Sequence, residues 1–234
     1  MPAVIAAING KGGAGKTTAL MNIAGEYALR GRSVGLLDID PRSNLMKWWS
    51  DCHDKGNQAE GLDVFGPKTG KAIAAFFESK ANVFDYLLVD TPGEDTSIID
   101  GVIARTDLVI SPVQPSKREV VGAIECLEVV RRVNKTYGAA CRHGVLKTRI
   151  TLPVCHTELY RKIRPIIVEH AGTYLFKTEV HERNVYKDIH SGLGTLQMQA
   201  VTPAIAKARR ETVALVEEID SLLSGEEGSS VEAG

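Results

Sequence analysis

The sequence lacks the features that mark several protein classes. No stretch approaches the ~18 consecutive apolar residues of a membrane-spanning helix, and the chain does not open on a basic segment followed by a long apolar one. The four cysteines include no C-x-x-C pair, which disfavours a thiolate metal site or a redox motif. A formal net charge of −1 does not by itself indicate a nucleic acid or an acidic membrane as a partner. These absences predict a soluble cytosolic protein with reduced thiols.

Short apolar runs are present instead, and they alternate with segments of helical period. Runs that are apolar at every position are typical of strands buried on both faces of a parallel sheet. Such runs occur at Ala3–Ile8, Val34–Leu37, Tyr86–Val89 and Leu108–Ile110. Helical spacing is seen from Leu20 to Ala28 and around Leu45–Cys52, Gly70–Lys80, Glu119–Lys135, Glu158–His170 and Pro203–Leu223. This order predicts an α/β fold with a mostly parallel central sheet and helices on both of its faces.

A phosphate-binding loop lies between the first strand and the first helix. Residues 10–17 fit G-x-x-x-x-G-K-[ST] in the strand–loop–helix context that this motif requires. The glycines let backbone N–H groups turn toward phosphate oxygens, the helix N-terminus adds its dipole, and Lys16 brings a cation. Thr17 is expected to offer its hydroxyl to Mg²⁺. A turn that merely joined strand to helix would need neither side chain, so the loop predicts binding and hydrolysis of Mg-ATP.

The length and the C-terminal composition predict one domain with a tail. A chain of 234 residues can bury one sizeable core, and no long Pro/Gly-rich linker divides it. We expect residues 1–223 to form a single P-loop ATPase domain. Residues 224–234 are small and acidic with almost no apolar groups, so they cannot offset the entropy of becoming ordered. We expect them to form a flexible acidic tail.

Carboxylates follow two of the predicted strands. Asp90 closes one apolar run, and Asp38 and Asp40 close another, at the strand ends where ligands of open α/β sheets bind. Asp90 is expected to hold Mg²⁺ through water. Of Asp38 and Asp40, one can complete the metal shell while the other orients the attacking water. The alternative for Asp40 is a turn residue before Pro41. Residues 91–93 are a candidate γ-phosphate-sensing turn.

Several motifs together resemble the ParA/MinD ATPases, which have a deviant Walker A box. Residues 11–18 match K-G-G-x-G-K-[ST], in which Lys11 is the distinguishing extra lysine. Residues 38–41 match the D-x-D-P box, and residues 88–93 match the Walker B and switch II segment. Residues 112–116 match the P-V-x-P-S turn, and residues 183–186 match the R-x-x-Y segment. The last two segments are similar to those of small ParF-like partition proteins and VirC-type transfer ATPases. The resemblance spans most of the chain.

The resemblance implies a homodimer that sandwiches two ATP molecules. It implies that Lys11 reaches the phosphates of the other copy, that Lys16 acts within its own copy, and that Asp40 positions the hydrolytic water. The alternative for Lys11 is a solvated loop lysine. The expected nucleotide contacts are Gly12, Gly13, Ala14, Gly15, Lys16, Thr17, Thr18 and Pro115, and the expected metal contacts are Thr17, Asp38, Asp40 and Asp90.

The distribution of charge favours DNA as a partner. Residues 142–210 contain twelve Lys/Arg and five Asp/Glu, and no base-reading motif is visible. Binding is therefore expected to be independent of base sequence and sensitive to salt. The candidate DNA contacts are Lys147, Arg149, Arg161, Arg164, Arg183, Lys187, Arg209 and Arg210. The alternative is an ordinary solvated helical face. Residues 211–234 contain no Lys or Arg, which disfavours a membrane surface as a partner.

The resemblance and the charge pattern lead to one expected function and two alternatives. The expected function is DNA partition, in which a cytoplasmic ATP-bound dimer coats nucleoid DNA and a ParB-like centromere-binding adaptor stimulates hydrolysis. One alternative is a cargo-positioning or conjugative-transfer accessory ATPase of the same family. The other is a metabolic P-loop synthetase, and both Lys11 and the basic segment 142–210 argue against it.

Overall fold

A parallel sheet of seven strands organises the part of the chain that the structure, a computed structural model, describes: residues 1–10, 13–92 and 96–226. The strands lie in the order β3-β2-β4-β1-β5-β6-β7, and every neighbouring pair is parallel. Strands β1 to β7 span Ala3–Ala7, Val34–Asp38, Leu62–Phe65, Tyr86–Asp90, Leu108–Val113, Arg142–Ile150 and Thr173–His181. The predicted α/β fold is confirmed.

Helices connect these strands. In the described residues, helices α1 to α9 span Lys16–Leu29, Asn44–Asp54, Gly70–Ser79, Thr96–Ile103, Lys117–Tyr137, Leu152–Cys155, Glu158–Val168, Val185–His190 and Pro203–Ser224. Two short 3-10 helices lie at Ala81–Val83 and Leu196–Met198. Within the ranges that the structure covers, none of the helices is both long enough and apolar enough to cross a lipid bilayer.

The helices cover both faces of the sheet because successive side chains of a strand point to opposite faces. In β1, Ile5 packs with α1, α2, α8 and α9 on one face. The neighbouring Val4 belongs to the cluster formed with α3, α4 and α5 on the other face. Helix α7 extends that second layer through Ile163 and Ile167, which pack against α5. The sheet is therefore the middle layer of three.

The parallel strands bring the predicted carboxylates to one edge of the sheet. Asp38 at the end of β2 pairs in register with Asp90 at the end of β4, and Asp90 pairs with Ala7 at the end of β1. The phosphate-binding loop follows β1, so it leaves the sheet directly beside both carboxylates. This edge is where ligands of such sheets bind.

The sequence pattern predicts the inner strands but not the outer ones. Strands β1, β2, β4 and β5 correspond to the four predicted apolar runs, whereas none of those runs covers β3, β6 or β7. Strand β6 contains arginine, histidine, lysine and threonine, and its pairing with β7 has two register shifts. Mixed composition and bulges remove the periodicity on which the prediction depends.

Some expectations lie outside the described residues. These are the roles of Lys11 and Gly12 in the loop, the Gly93 position of the sensing turn, and residues 227–234 of the expected tail.

Candidate active site

The loop between β1 and α1 has the backbone that its glycines predict. Gly13 and Gly15 have φ values of 88° and 96°, in the left-handed region that favours glycine. The Thr148 hydroxyl at the end of β6 donates to the Ala14 carbonyl at 2.7 Å. The Gln114 side-chain amide, from the connection between β5 and α5, donates to the Gly13 carbonyl at 2.9 Å. Because these carbonyls have protein partners, the loop is held in place to present its N–H groups to an anion.

Lys16 begins α1, and its ammonium group is buried beside the loop. The side chain is 8% exposed, and Nζ donates to the Asn9 carbonyl at 3.1 Å. Asn9 is itself held by donating Nδ2 to the Pro112 carbonyl at 2.6 Å. Burial lowers the pKa of Lys16, while the charges of Asp90 and Asp40 oppose the shift. An anionic ligand beside Nζ would further favour the charged ammonium.

Thr17 and Asp90 form the second part of the site. The Thr17 hydroxyl donates to Asp90 Oδ2 at 2.6 Å. The other oxygen, Oδ1, is buried and has no hydrogen-bond partner among the described residues. Burial raises the pKa of Asp90 to about 7, against the hydrogen bond from Thr17 and the charge of Lys16. A buried carboxylate with an unused oxygen next to a hydroxyl is a donor set that fits Mg²⁺.

The Asp38 carboxylate is held by protein groups. It is fully buried, with Oδ1 3.0 Å from Lys68 Nζ and Oδ2 accepting from the Met46 N–H at 2.9 Å. Among the described residues, Asp38 does not contribute to the wall of the cavity beside the loop. Both oxygens are engaged by protein groups, and a metal contact of Asp38 stays a prediction. The structure also places Lys68 here, which the sequence pattern did not single out.

Asp40 faces the site. It is half-buried and contributes to the wall of a cavity of about 650 Å³ that opens beside residues 13–19. One oxygen, Oδ1, accepts from the Arg42 N–H at 2.8 Å. The cavity volume is in the range of small-molecule and cofactor sites. Of the two carboxylates in the D-x-D-P segment, the cavity-lining one is therefore Asp40.

The far wall of the cavity comes from α2 and α8. Thr18, just after the loop, has its hydroxyl 2.8 Å from His190 Nε2. Lining residues that the sequence analysis did not assign to the site include Arg42, Lys47, Thr148, Tyr186 and His190. They come from segments far apart in the chain, so a local pattern could not indicate them. For Tyr186 alone the R-x-x-Y segment offered a signal.

Pro115 lies outside this cavity. It is half-buried in the connection between β5 and α5, next to Gln114, which bonds the loop. The turn that contains Pro115 therefore supports the loop through its neighbour, and a nucleotide contact of Pro115 itself stays a prediction.

Three of the candidate DNA contacts contribute to the cavity wall, and two of them, Arg149 and Lys187, are also exposed to solvent. Arg149, Arg183 and Lys187 all contribute to its wall. Arg149 has a φ of 53° and lies 3.3 Å from both the Gly13 carbonyl and the Glu182 carboxylate. Arg183 is paired with Glu211, whereas Arg149 contacts the loop and Lys187 adds positive charge to the cavity wall.

The other five candidates are divided between structural contacts and two separate surfaces. Lys147 pairs with Glu179 inside the pair β6 and β7, and Arg209 donates to backbone carbonyls that include that of Gln199, at 2.8 Å. The exposed candidates are Arg161 and Arg164 on α7 and Arg210 on α9. Because α7 and α9 cover opposite faces of the sheet, the eight candidates do not form one surface in a single copy of the chain.

Sequence comparison finds relatives along nearly the whole chain. Residues 3–224 match the family model described as VirC1 protein. Protein ParA of Rhizobium radiobacter is 24% identical over 196 residues, covering 84% of this chain and 85% of that protein. Maintenance of carboxysome distribution protein A of Gloeobacter kilaueensis is 29% identical over 222 residues, 94% of each chain. Protein virC1 of Rhizobium rhizogenes is 28% identical over 177 residues, 75% of each.

Solved structures share the fold. A plasmid partition protein of Borrelia burgdorferi bound to AMPPNP aligns with a TM-score of 0.68 and 14% identity, covering 93% of this chain and 100% of that one. The McdA–ATP complex of Cyanothece gives 0.72 and 15%, covering 94% and 96%. A cobyrinic acid a,c-diamide synthase of Mycobacterium smegmatis with ADP and magnesium gives 0.65 and 16%, covering 94% and 96%. The predicted resemblance to ParA/MinD P-loop ATPases is confirmed.

Proposed function

The chain belongs to the VirC1 protein family, and we propose that it is an ATPase that uses Mg-ATP to partition or position a DNA cargo. The observation that carries the proposal is the group around the loop. There a buried Lys16 and the hydrogen-bonded pair of Thr17 and Asp90 lie beside a cavity of nucleotide size. A relative named for carboxysome distribution and a structural neighbour named for plasmid partition support a cargo role.

Each residue of the group has a role in binding ATP. The N–H groups of Gly13, Ala14 and Gly15 and the ammonium of Lys16 would bind phosphate oxygens. Thr17 and Asp90 would hold Mg²⁺, which supplies charge neutralisation on the phosphates. Thr18 extends the contact surface toward the cavity wall, where Arg149 and Lys187 add positive charge. This basic wall favours a polyphosphate over a neutral ligand.

Hydrolysis is assigned to Asp40. Phosphoryl transfer depends on the positioning of the nucleophile and on charge neutralisation. Asp40 is the carboxylate of the D-x-D-P segment that faces the cavity, so it would orient the attacking water. Lys16 would stabilise charge on the transferred group from within the same copy.

We propose that ATP also controls assembly. Lys11 of each copy would reach the phosphates bound by the other, so a dimer forms when ATP is bound and separates after hydrolysis. The dimer would double a basic surface and bind DNA without base specificity in the cytoplasm, at the nucleoid. A ParB-like adaptor would reset the cycle by stimulating hydrolysis. We assign these activities to one domain, residues 1–223, followed by an acidic tail.

A second candidate keeps the same chemistry and changes the cargo. The family match and the likeness to a carboxysome distribution protein favour a positioning or conjugative-transfer accessory role. In that case a protein assembly or a transfer complex replaces the centromere. The dependence of assembly on ATP is common to both candidates.

Cosedimentation with DNA tests the proposed function. We expect the wild-type chain to pellet with non-specific duplex DNA in ATP and to remain in the supernatant in ADP or in high salt. Lys16→Ala should abolish both ATP turnover and ATP-dependent pelleting, because it removes the buried cation of the loop. Lys135→Ala, at an exposed site near the end of α5, is the matched control and should behave as wild type.

The arms of this experiment separate the candidates. If ATP turnover depends on Lys16 but the chain does not pellet with DNA in either nucleotide, the result supports the ATPase activity and excludes DNA as the cargo. Turnover unaffected by Lys16→Ala would overturn the assignment of the loop.

A further inference from the structure

Lys68 lies beside the D-x-D-P segment although it is far from it in the sequence. The parallel register pairs Leu37 of β2 with Phe65 of β3, so the segments that follow these two strands leave the sheet together. Lys68 follows β3, and Thr69 then caps α3 by accepting the Ala72 N–H at 3.2 Å. The helix cap at Thr69 and the strand register together place the Lys68 backbone next to the C-terminal end of β2.

The ammonium of Lys68 makes three contacts in that segment. Nζ donates to the Asp38 carbonyl at 2.7 Å, to Asp38 Oδ1 at 3.0 Å and to the Asp40 carbonyl at 2.7 Å. An ammonium group has three N–H donors, so these contacts can use all of them. Lys68 thus binds the backbone on both sides of the residue between the two aspartates.

The same segment is closed by short-range hydrogen bonds. The Asp40 carbonyl also accepts the Ser43 N–H at 2.9 Å, and Asp40 Oδ1 accepts the Arg42 N–H at 2.8 Å. Asp38 connects this turn to α2 through the Met46 N–H at 2.9 Å. Without the cation, the fully buried Asp38 carboxylate would lose its charge partner, which is costly in a protein interior.

We propose that Lys68 is a positioning residue for ATP hydrolysis, which holds the Asp40 carboxylate toward the cavity by binding the carbonyls of Asp38 and Asp40. The inference rests on the proposed function, in which Asp40 orients the water. Lys68 is not itself among the described residues that line the cavity. It acts through Asp40, and the competing explanation is an ion pair that only stabilises the fold.

A double-mutant experiment distinguishes the two explanations. Lys68→Met removes the ammonium but keeps much of the chain length, and Lys71→Met, at an exposed lysine on the first turn of α3, is the matched control. Single-turnover hydrolysis and the Kd for Mg-ATP are measured for both variants, for Asp40→Ala and for Asp40→Ala combined with Lys68→Met. We expect Lys68→Met to slow hydrolysis on the order of 100-fold, with the Kd within about threefold of wild type because uniform binding is retained.

The combined variant gives the sharper result. If Lys68 acts through Asp40, Lys68→Met should slow hydrolysis less than about twofold once Asp40 is alanine, because interacting residues are non-additive. Hydrogen exchange without nucleotide gives a second readout. The amides of Arg42 and Ser43 should exchange faster in Lys68→Met than in Lys71→Met, since their acceptors both belong to Asp40.

Three results would overturn the proposal. The first is hydrolysis by Lys68→Met at the rate of Lys71→Met, the second is slowing that persists in full in combination with Asp40→Ala, and the third is unchanged amide exchange of Arg42 and Ser43. A wild-type chain that does not turn over ATP would instead refute the proposed function, and this inference with it.

Discussion

Burial shifts the pKa of several single residues in this protein. It lowers the pKa of Lys16 and raises that of Asp90 to about 7, at the site where an anionic ligand would favour the charged form of Lys16 and a cation that of Asp90. Burial also shifts the pKa of His143. This residue is part of β6, does not line the cavity and is 2% exposed. Its ring nitrogens lie 2.9 Å from Ser111 Oγ and 2.6 Å from Thr173 Oγ1. Neutral imidazole can form both contacts.

His143 should make the fold less stable in acid. Burial, with a smaller contribution from Arg131, lowers its pKa from 6.5 to about 3. Below pH 6.5 the unfolded chain binds a proton that the folded chain does not, so stability is lost as the pH falls. From pH 7 to pH 5 this residue should remove about 2 kcal/mol from the free energy of unfolding.

Urea unfolding at several pH values measures this effect. His143→Gln should lose that part of the pH dependence, whereas His53→Gln, at an exposed site on α2, should keep it. Equal pH slopes in wild type and His143→Gln would contradict the prediction.

At the scale of elements, side-chain caps determine where several helices begin. Helices α3, α5, α7 and α9 each follow a Ser or Thr whose hydroxyl accepts the N–H three residues later, at 3.2 to 3.3 Å. These caps are Thr69, Ser116, Thr157 and Thr202. Each satisfies one of the helix's free backbone donors. At α5 the cap also ends the connection whose Gln114 supports the phosphate-binding loop.

Ser116→Ala should destabilise the protein by about 1 kcal/mol. At the start of the 21-residue α5, the Glu119 N–H would lose the Ser116 hydroxyl at 3.2 Å and keep only the Ser116 carbonyl at 3.1 Å. The free energy of unfolding from urea titration measures the loss. Ser79→Ala, at an exposed position near the end of α3, should change stability by less than about 0.5 kcal/mol. A loss no larger than that of the control would show that the cap contributes nothing.

At the scale of the whole molecule, the three-layer arrangement separates the exposed cations. Arg161 and Arg164 lie on α7, in the layer with α5, and Arg210 lies on α9, in the layer with α1. A straight duplex contacts one face of the sandwich at a time. The proposed DNA surface therefore has to be assigned to one layer, and α7 provides two exposed arginines one turn apart.

Removing the α7 arginines should weaken DNA binding uniformly across sequences. We expect Arg161→Ala combined with Arg164→Ala to reduce the slope of log affinity against log salt by about two, since each phosphate contact contributes about one. Arg210→Ala should leave the slope unchanged. Binding in ATP, measured by fluorescence anisotropy between low and moderate salt, tests both variants. The reverse result would assign DNA to the α9 layer.

The parts of the fold that could be predicted have a local signal. Strands β1, β2, β4 and β5 are apolar at nearly every position because helices cover both of their faces. Strands β6 and β7 combine polar and apolar positions with bulges, and β3 has only four residues. For such strands, long-range pairing decides the structure, and no short window of sequence contains that information.

The phosphate-binding loop, with Lys16 and Thr17, and the position of Asp90 at the end of a strand can be predicted from the amino-acid sequence alone. Each of these depends on neighbours within a few residues. Long-range contacts are needed to show that Asp40, and not Asp38, faces the cavity. That choice depends on Lys68, which reaches the segment because β2 and β3 are parallel neighbours. The basic residues of segment 142–210 were likewise divided by the fold, because parallel strands bring some to the cavity while helices carry others to opposite faces.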